Sequence, residues 1–224
     1  LVASFNALRL GEKQKDYRTF AQILVKFDLI GLEEVMNEKG VKKTQAYLEK
    51  LTNEKWDYII SENSVGSENY REYFAFIYRK SRFSEVRGLG FYKEKDENEF
   101  MREPYGAYFK AGNFDFVYVI AHSVFGDKEK QRILEAANYV NVYEYFSKLT
   151  DEDIIIAGDF NTPADNMAFK NMADKYNVKY ILNPEENLTT LSDSKLVSSY
   201  DNFFINFEKT KEFTGNFGVY NFIK

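Results

Sequence analysis

The chain has 224 residues, a net charge of −5, 17% aromatic residues and no cysteine. That length suits one compact domain with a large aromatic core, and the lack of cysteine excludes disulfides and thiolate metal sites. The acidic balance argues against broad electrostatic adhesion to nucleic acid, and no apolar run reaches the length of a membrane span.

In chain order, Val2–Asn6 predicts a short strand that ends in a carboxamide. Residues 13–27 predict an amphipathic helix with Tyr17, Phe20, Leu24 and Phe27 on one stripe. Asp28–Val35 reads as a strand ending in two acids, Glu33 and Glu34, and residues 40–52 as a second helix carrying Val41, Leu48 and Leu51. Trp56–Ser61 and Tyr73–Lys80 read as strands joined by a polar loop. Phe114–Ala121 is a nearly continuous apolar strand leading into His122, the sole histidine. Residues 128–149 predict a long helix with Ile133, Ala137 and Val140 in phase. Ile154–Asn161 predicts a buried strand ending in Gly, Asp and Asn, and Asp201 precedes an apolar run to Ile205. This alternation suits two packed sheets flanked by helices, and equally a doubly wound open sheet. No linker, internal repeat or low-complexity tract interrupts residues 1–224, which read as one domain and a monomer. Leu1 lies directly inside a strand-like segment, so any targeting peptide is out of view; secretion and cell-surface display stay open.

The chemistry sits at strand ends, where open sheets place their sites. Asp159 and Asn161 can hold a hard cation and orient a phosphate or a water. Alternatively they are turn residues, with Thr162 and Pro163 as N-cap and first residue of a following helix. Likewise Glu34 alone could be a surface acid, and His122 alone a satisfied core histidine. Five strand-like segments, however, each carry such a residue at one end, and a solvated face would not repeat that arrangement.

Seven segments in register resemble the endonuclease/exonuclease/phosphatase superfamily, with deoxyribonuclease I the nearer likeness. They are Ser4-Phe5-Asn6, Leu32-Glu33-Glu34-Val35, Ser61-Glu62-Asn63 with Asn69-Tyr70-Arg71-Glu72, Arg102-Glu103-Pro104, Ala121-His122-Ser123, Gly158-Asp159-Phe160-Asn161 and Tyr200-Asp201. The resemblance implies an α/β four-layer sandwich of two packed mixed β-sheets flanked by helices. It implies a metal-dependent phosphodiesterase, a DNA endonuclease of low sequence specificity using Mg²⁺ or Mn²⁺, with Ca²⁺ a further candidate. In that reading Glu34 and Asn6 hold the ion. His122 donates a proton or hydrogen bond at the scissile phosphate, and Glu72 orients its imidazole and favours the cation. Asp159 and Asn161 orient the nucleophile and hold the phosphate, Asp201 orients a basic histidine, and Tyr70 and Arg102 contact the nucleic-acid backbone. The alternatives are a phosphoesterase acting on a lipid or sugar-nucleotide phosphate, and a catalytically dead nucleic-acid- or protein-binding relative.

Several residues depart from that pattern. The family's final Ser-Asp-His motif, which carries the base histidine and a further metal ligand, is absent. The expectation is that a last strand bearing it follows Lys224 in the full gene; a true loss of the base is the competing account. Met36 and Leu8 stand where deoxyribonuclease I has arginines, which implies weaker minor-groove contact. Glu33 replaces a glutamine, adding a negative charge beside the metal, where it could bind a second cation, or else pointing away. The cysteines that form disulfides in deoxyribonuclease I have no counterparts. Lys42, Lys43, Arg71, Arg79, Lys80, Arg82, Arg87 and Arg102 are candidates for a local basic patch.

Overall fold

The computed structural model describes residues 1–126, 129–150 and 153–223. Its first sheet contains β1 (Val2–Leu10), β2 (Leu29–Val35), β3 (Trp56–Ile60), β4 (Val65–Ser67) and β5 (Tyr70–Arg79), in the order β1-β2-β5-β3 with β4 on β5. The second contains β6 (Glu85–Phe91), β7 (Tyr105–Ala111), β8 (Phe114–His122), β9 (Asp153–Asp159), β10 (Val178–Tyr180) and β13 (Asp201–Asn206), in the order β10-β13-β9-β8-β7-β6. β11 (Thr190–Leu191) and β12 (Leu196–Ser198) form a separate hairpin. Helices α1 (Tyr17–Leu24) and α2 (Glu38–Thr52) cover the outer face of the first sheet through Phe20, Leu24, Val41 and Leu48. Helices α3 (Glu129–Leu149) and α4 (Lys170–Tyr176) cover the second through Tyr139, Phe146 and Met172. Between the sheets lies an aromatic layer that includes Phe74, Phe76, Tyr105, Phe109 and Tyr118. The four-layer sandwich is therefore the observed fold, and the open doubly wound sheet is not. No described helix is long and apolar enough to cross a membrane.

The structure moves several boundaries. Residues 13–16 are not helical, because Asp16 is an N-cap whose carboxylate accepts the N–H groups of Arg18 (3.0 Å) and Thr19 (3.1 Å). The second helix starts at Glu38, capped by Asn37, two residues before the predicted position. The loop after β3 holds β4, which pairs with a β5 three residues longer at its start than predicted, so Tyr70 and Glu72 lie in a strand. Strands β6 and β7 lie outside the predicted elements; β6 mixes Glu85, Arg87, Gly88 and Gly90 and shows no strand-like apolar run. The α3 stripe is rotated from the predicted one. Ala136, Tyr139, Val142, Tyr143 and Phe146 are buried, whereas Ile133, Ala137 and Val140 are only half-buried. Three rings offer more apolar area than the predicted aliphatics, and Glu135 turns inward to accept the N–H groups of Met101 and Val124, both at 2.8 Å. Residue 128 of that prediction lies outside the described residues. Thr162 and Pro163 do not open a helix; the next helical turn is Met167–Phe169, capped by Asn166.

Two irregularities shape the strand ends. Pairing of β1 with β2 runs from Asn6↔Glu33 to Leu10↔Val35, leaving two extra residues in β1, and Leu8 and Arg9 take φ of 45° and 55°. Pairing of β2 with β5 runs from Leu32↔Ala75 to Val35↔Tyr73, leaving one extra residue in β2, and Glu34 has φ 54°. Such bulges re-aim side chains, and each left-handed non-glycine residue costs about 1–3 kcal/mol.

Candidate active site

Three neighbouring strands place three polar side chains in one row. In the parallel β8–β9 pair His122 stands opposite Asp159, and in the antiparallel β9–β13 pair Asp159 stands opposite Asp201. Close approach of β8 and β9 requires Gly158: a Cβ there would sit 1.9 Å from the Ala121 carbonyl oxygen, and its φ is +149°. The glycine of the Gly-Asp-Phe-Asn segment thus sets the spacing of His122 and Asp159.

His122 is anchored from the first sheet. Its Nδ1 lies 2.8 and 3.1 Å from the two oxygens of Glu72, a fully buried carboxylate on β5. The Glu72 carboxylate also accepts the Glu34 N–H (3.3 Å) and pairs with the Arg102 guanidinium (3.3 Å). Burial lowers the His122 pKa, but the charge and hydrogen bond of Glu72 outweigh it, and the net shift is upward. With Nδ1 held, the ring's other nitrogen, Nε2, is the one free for chemistry.

Glu34 and Asn6 meet across the two bulges. The Asn6 amide nitrogen donates to Glu34 (3.1 Å) and lies 3.5 Å from Asp159, while its Oδ1 accepts the Leu8 N–H (3.0 Å). Glu34 also accepts the Arg9 N–H (3.2 Å) and is hydrogen-bonded to Tyr70. Burial pushes the Glu34 pKa up, but the hydrogen bonds from Asn6 and Tyr70 pull it down further, so the net shift is downward and the carboxylate is ionised at neutral pH. Among the described residues no three His, Cys, Asp or Glu side chains converge as a metal cage. The partly exposed Glu34 carboxylate fits a hard ion such as Mg²⁺, which takes one or two carboxylates and keeps several waters; Asn6 joins it as a ligand once its amide turns from Glu34 and the Leu8 N–H to present its oxygen. This donor set does not fit a soft site built on thiolate or imidazole ligands.

Asp159 accepts the Asn161 N–H (3.0 Å), and Asn161 takes φ 49°. The Asn161 amide donates to the Ser123 carbonyl (2.8 Å). The Asp201 N–H donates to the Thr189 hydroxyl (2.9 Å); burial and then the Asp159 charge push the Asp201 carboxyl pKa up.

The substrate-contact candidates are placed differently from each other. The Tyr70 ring lies between two guanidinium groups, Arg9 at 5.1 Å and Arg102 at 5.5 Å, and is half-buried beside Glu34. Arg102 is buried, and its Nη1 donates to the carbonyls of His122 (3.2 Å) and Ser123 (3.3 Å), so it braces the end of β8. All nine predicted site residues therefore gather at one end of the sandwich.

Of the eight residues of the predicted basic patch, Arg102 alone is shown against the site's side chains, and five pair with acids elsewhere. Arg79 pairs with Glu54 (2.9 Å) and Asp28 (3.4 Å), Lys42 with Glu38 (2.8 Å), Lys80 with Asp57 (3.5 Å), Arg82 with Asp28 (3.4 Å) and Arg87 with Glu85 (3.5 Å). Arg79 and Tyr70 end the same ten-residue strand, which separates them by about 30 Å. Of the two alternatives for Glu33 the structure shows the side chain turned away from solvent: it is fully buried, accepts the Ser4 hydroxyl (2.7 Å), and is pushed well toward the neutral form by burial. It places no charge beside a metal. Sequence reasoning missed Ser123 and Thr189 as anchors; both act through the backbone, one by its carbonyl and one on a neighbour's N–H, which side-chain chemistry does not reveal.

A groove of about 540 Å³ leads away from Glu34, Asp159 and Asp201 along the outer edge of β1. No described strand pairs with that edge. Residues 218–223 cover it through rings instead, Phe222 on Phe5 (5.7 Å) and Tyr220 on Phe27 (6.1 Å).

Comparison with known proteins agrees with this geometry. The pattern of the Endonuclease/Exonuclease/phosphatase family matches residues 3–221. A deoxyribonuclease of Thioalkalivibrio sp. is 29% identical over 214 residues, covering 91% of this chain and 57% of its own. Deoxyribonuclease-1-like 1 of Mus musculus is 27% identical over 179 residues, covering 76% and 55%. The chain thus spans little more than half the length of these curated relatives. A solved structure of an endonuclease/exonuclease/phosphatase family protein from Leptotrichia buccalis superposes with a TM-score of 0.60 at 17% identity, covering 92% of this chain and 87% of that one.

Proposed function

Given that the chain belongs to the endonuclease/exonuclease/phosphatase family, we propose that it is the catalytic region of a metal-dependent phosphodiesterase, a DNA endonuclease of low sequence specificity. The observation that carries this is the buried Glu72–His122 pair, 2.8 Å apart, on a strand that sets His122 beside Asp159. An imidazole whose cationic form is favoured by Glu72, held next to a carboxylate row, suits the charge that develops on a phosphoryl group in displacement.

In this reading His122 Nε2 donates to a non-bridging oxygen or to the leaving oxygen. Asn161, fixed by Ser123, holds the phosphate, and Asp159 orients the attacking water. Glu34 and Asn6 would hold Mg²⁺ or Mn²⁺, which neutralises phosphate charge when bound. Asp201, with its raised pKa, waits beside Asp159 to orient a base. Deoxyribonucleases among the relatives favour DNA over a lipid or sugar phosphate.

One observation favours a second reading. The sequence holds a single histidine, and one imidazole cannot stand on both sides of phosphorus in an in-line displacement. Residues 1–224 by themselves would then bind a phosphodiester without turning it over. The deciding experiment measures Mg²⁺-dependent cleavage of plasmid DNA by these 224 residues and by the complete encoded protein. Cleavage by neither, with both folded and Mg²⁺ saturating, would refute the enzyme reading.

A further inference from the structure

Two exposed apolar side chains lie close in the chain to residues of this polar site. Leu8, two residues after Asn6, is 57% exposed, and Phe125, three residues after His122, is 69% exposed. Lys42, Arg79, Lys80, Arg82 and Arg87 are paired with acids away from the site, Arg102 is buried against Glu72, and the net charge is −5. Phosphate electrostatics, the usual source of nucleic-acid affinity, is left to few basic groups such as Arg9 beside Tyr70, and an apolar contact would add to the hold on the substrate.

Phe125 is built to supply it. Three residues of chain put its Cα within about 11 Å of that of His122. Its loop is pinned on both sides. The Ser123 N–H donates to the Asp159 carbonyl (2.9 Å), and the Ser123 carbonyl accepts from Asn161 (2.8 Å) and Arg102 (3.3 Å). Val124 is buried and its N–H is held by Glu135 (2.8 Å). After the ring, Gly126 turns with φ +97° and its carbonyl is held by Arg132. An exposed ring would ordinarily be unfavourable in water. Here the same atoms that anchor Asn161 and His122 present it to solvent, with no other ring against it among the described residues.

Resting on the phosphodiesterase reading, we propose that Phe125 is a stacking platform for an unpaired nucleobase adjoining the scissile phosphate, so the preferred substrate is single-stranded or locally unpaired DNA. Every base has a π-face, so such a contact fixes the backbone without reading sequence. It also accounts for apolar Leu8 where a duplex-binding surface would place a cation.

The test uses a single-stranded oligonucleotide carrying one 2-aminopurine, whose fluorescence falls on stacking and is read without turnover. The wild type should quench the probe, and Phe125→Ala should lose the quench and bind about 10-fold more weakly. Phe125→Trp should restore both, whereas Phe125→Leu should not. Equal binding and quenching by Phe125→Ala, or full rescue by leucine, would overturn the proposal. So would a Phe125-dependent association with phosphatidylcholine vesicles in place of the oligonucleotide. Hydrolysis of bis(p-nitrophenyl) phosphate, which has no base, separates the two levels. Hydrolysis without quenching defeats the stacking role alone, and neither hydrolysis nor binding defeats the phosphodiesterase reading with it.

Discussion

Glu72→Gln is the perturbation that the site geometry specifies most sharply. The carboxylate is fully buried and serves His122, Arg102 and the Glu34 N–H together. Glutamine keeps the volume and one acceptor but removes the charge, which leaves the buried Arg102 guanidinium unpaired. Removing one partner of a buried ion pair costs about 3–5 kcal/mol; with the shape retained, we expect about 3 kcal/mol in urea unfolding. The effect on His122 has a definite sign. Its folded pKa is raised, so its contribution to stability is fully present below the unfolded value near 6.5 and is lost as pH rises through the folded value. In the variant, burial and Arg102 lower the pKa, and the charges of Asp159, Glu34 and Asp201 oppose them without the Glu72 charge. Because the chain has one histidine, its imidazole resonances can be titrated without overlap. The wild-type midpoint should lie above 6.5 and the variant midpoint below the wild-type one, with kcat down by about 10²–10⁴-fold and the alkaline limb of the rate profile moved to lower pH. An unmoved imidazole midpoint, or wild-type kcat in the variant, would refute the reasoning.

Asp201→Asn should abolish a pH dependence in urea unfolding. The raised wild-type pKa makes stability fall as pH rises from about 4 through the folded value, so in metal-free buffer the variant should match wild type near pH 4 and exceed it at pH 8; parallel curves would contradict this. In the complete protein the same variant should lose kcat by orders of magnitude, because a base histidine would lose its orienting carboxylate. Gly158→Ala should lower stability by more than about 2 kcal/mol, since the added carbon meets the Ala121 carbonyl at 1.9 Å; a Tm equal to wild type would show that β8 and β9 can separate freely. Met36→Arg should steepen the slope of log Kd against log salt for duplex DNA by about 0.9, and an unchanged slope would mean that this turn does not meet DNA.

The residues that do chemistry are legible because each ends an apolar strand, and a strand end is a fixed place in the fold. Asn6, Glu34, His122, Asp159 and Asp201 stand out in this way, and the order of seven short segments supplies the layers. The rest escapes for physical reasons. Glu34 and Glu33 are chain neighbours with similar sequence signals, yet a bulge turns one to the site while the other is sealed between the sheets. Arg79, Lys80 and Arg82 look available for phosphate in the sequence, but distance along β5 and local acids determine where they act. The α3 face is misread when apolar periodicity is traced through Ile133 and Val140, because the buried stripe is marked by rings and one hydrogen-bonded acid. Phe125 carries no periodic signal; only its exposure on a pinned loop distinguishes it.

Nicking of supercoiled plasmid by the complete encoded protein tests the central claim most directly. In Mg²⁺ the protein should nick without sequence preference. In excess EDTA it should stop, and Glu34→Gln should be inactive with a Tm close to wild type, because the substitution is isosteric at a half-exposed strand end. Asp159→Ala provides the control against contaminating nuclease. Undiminished nicking in EDTA, or by Glu34→Gln, would contradict the assignment of Glu34 and Asn6 as the metal-holding pair of a phosphodiesterase.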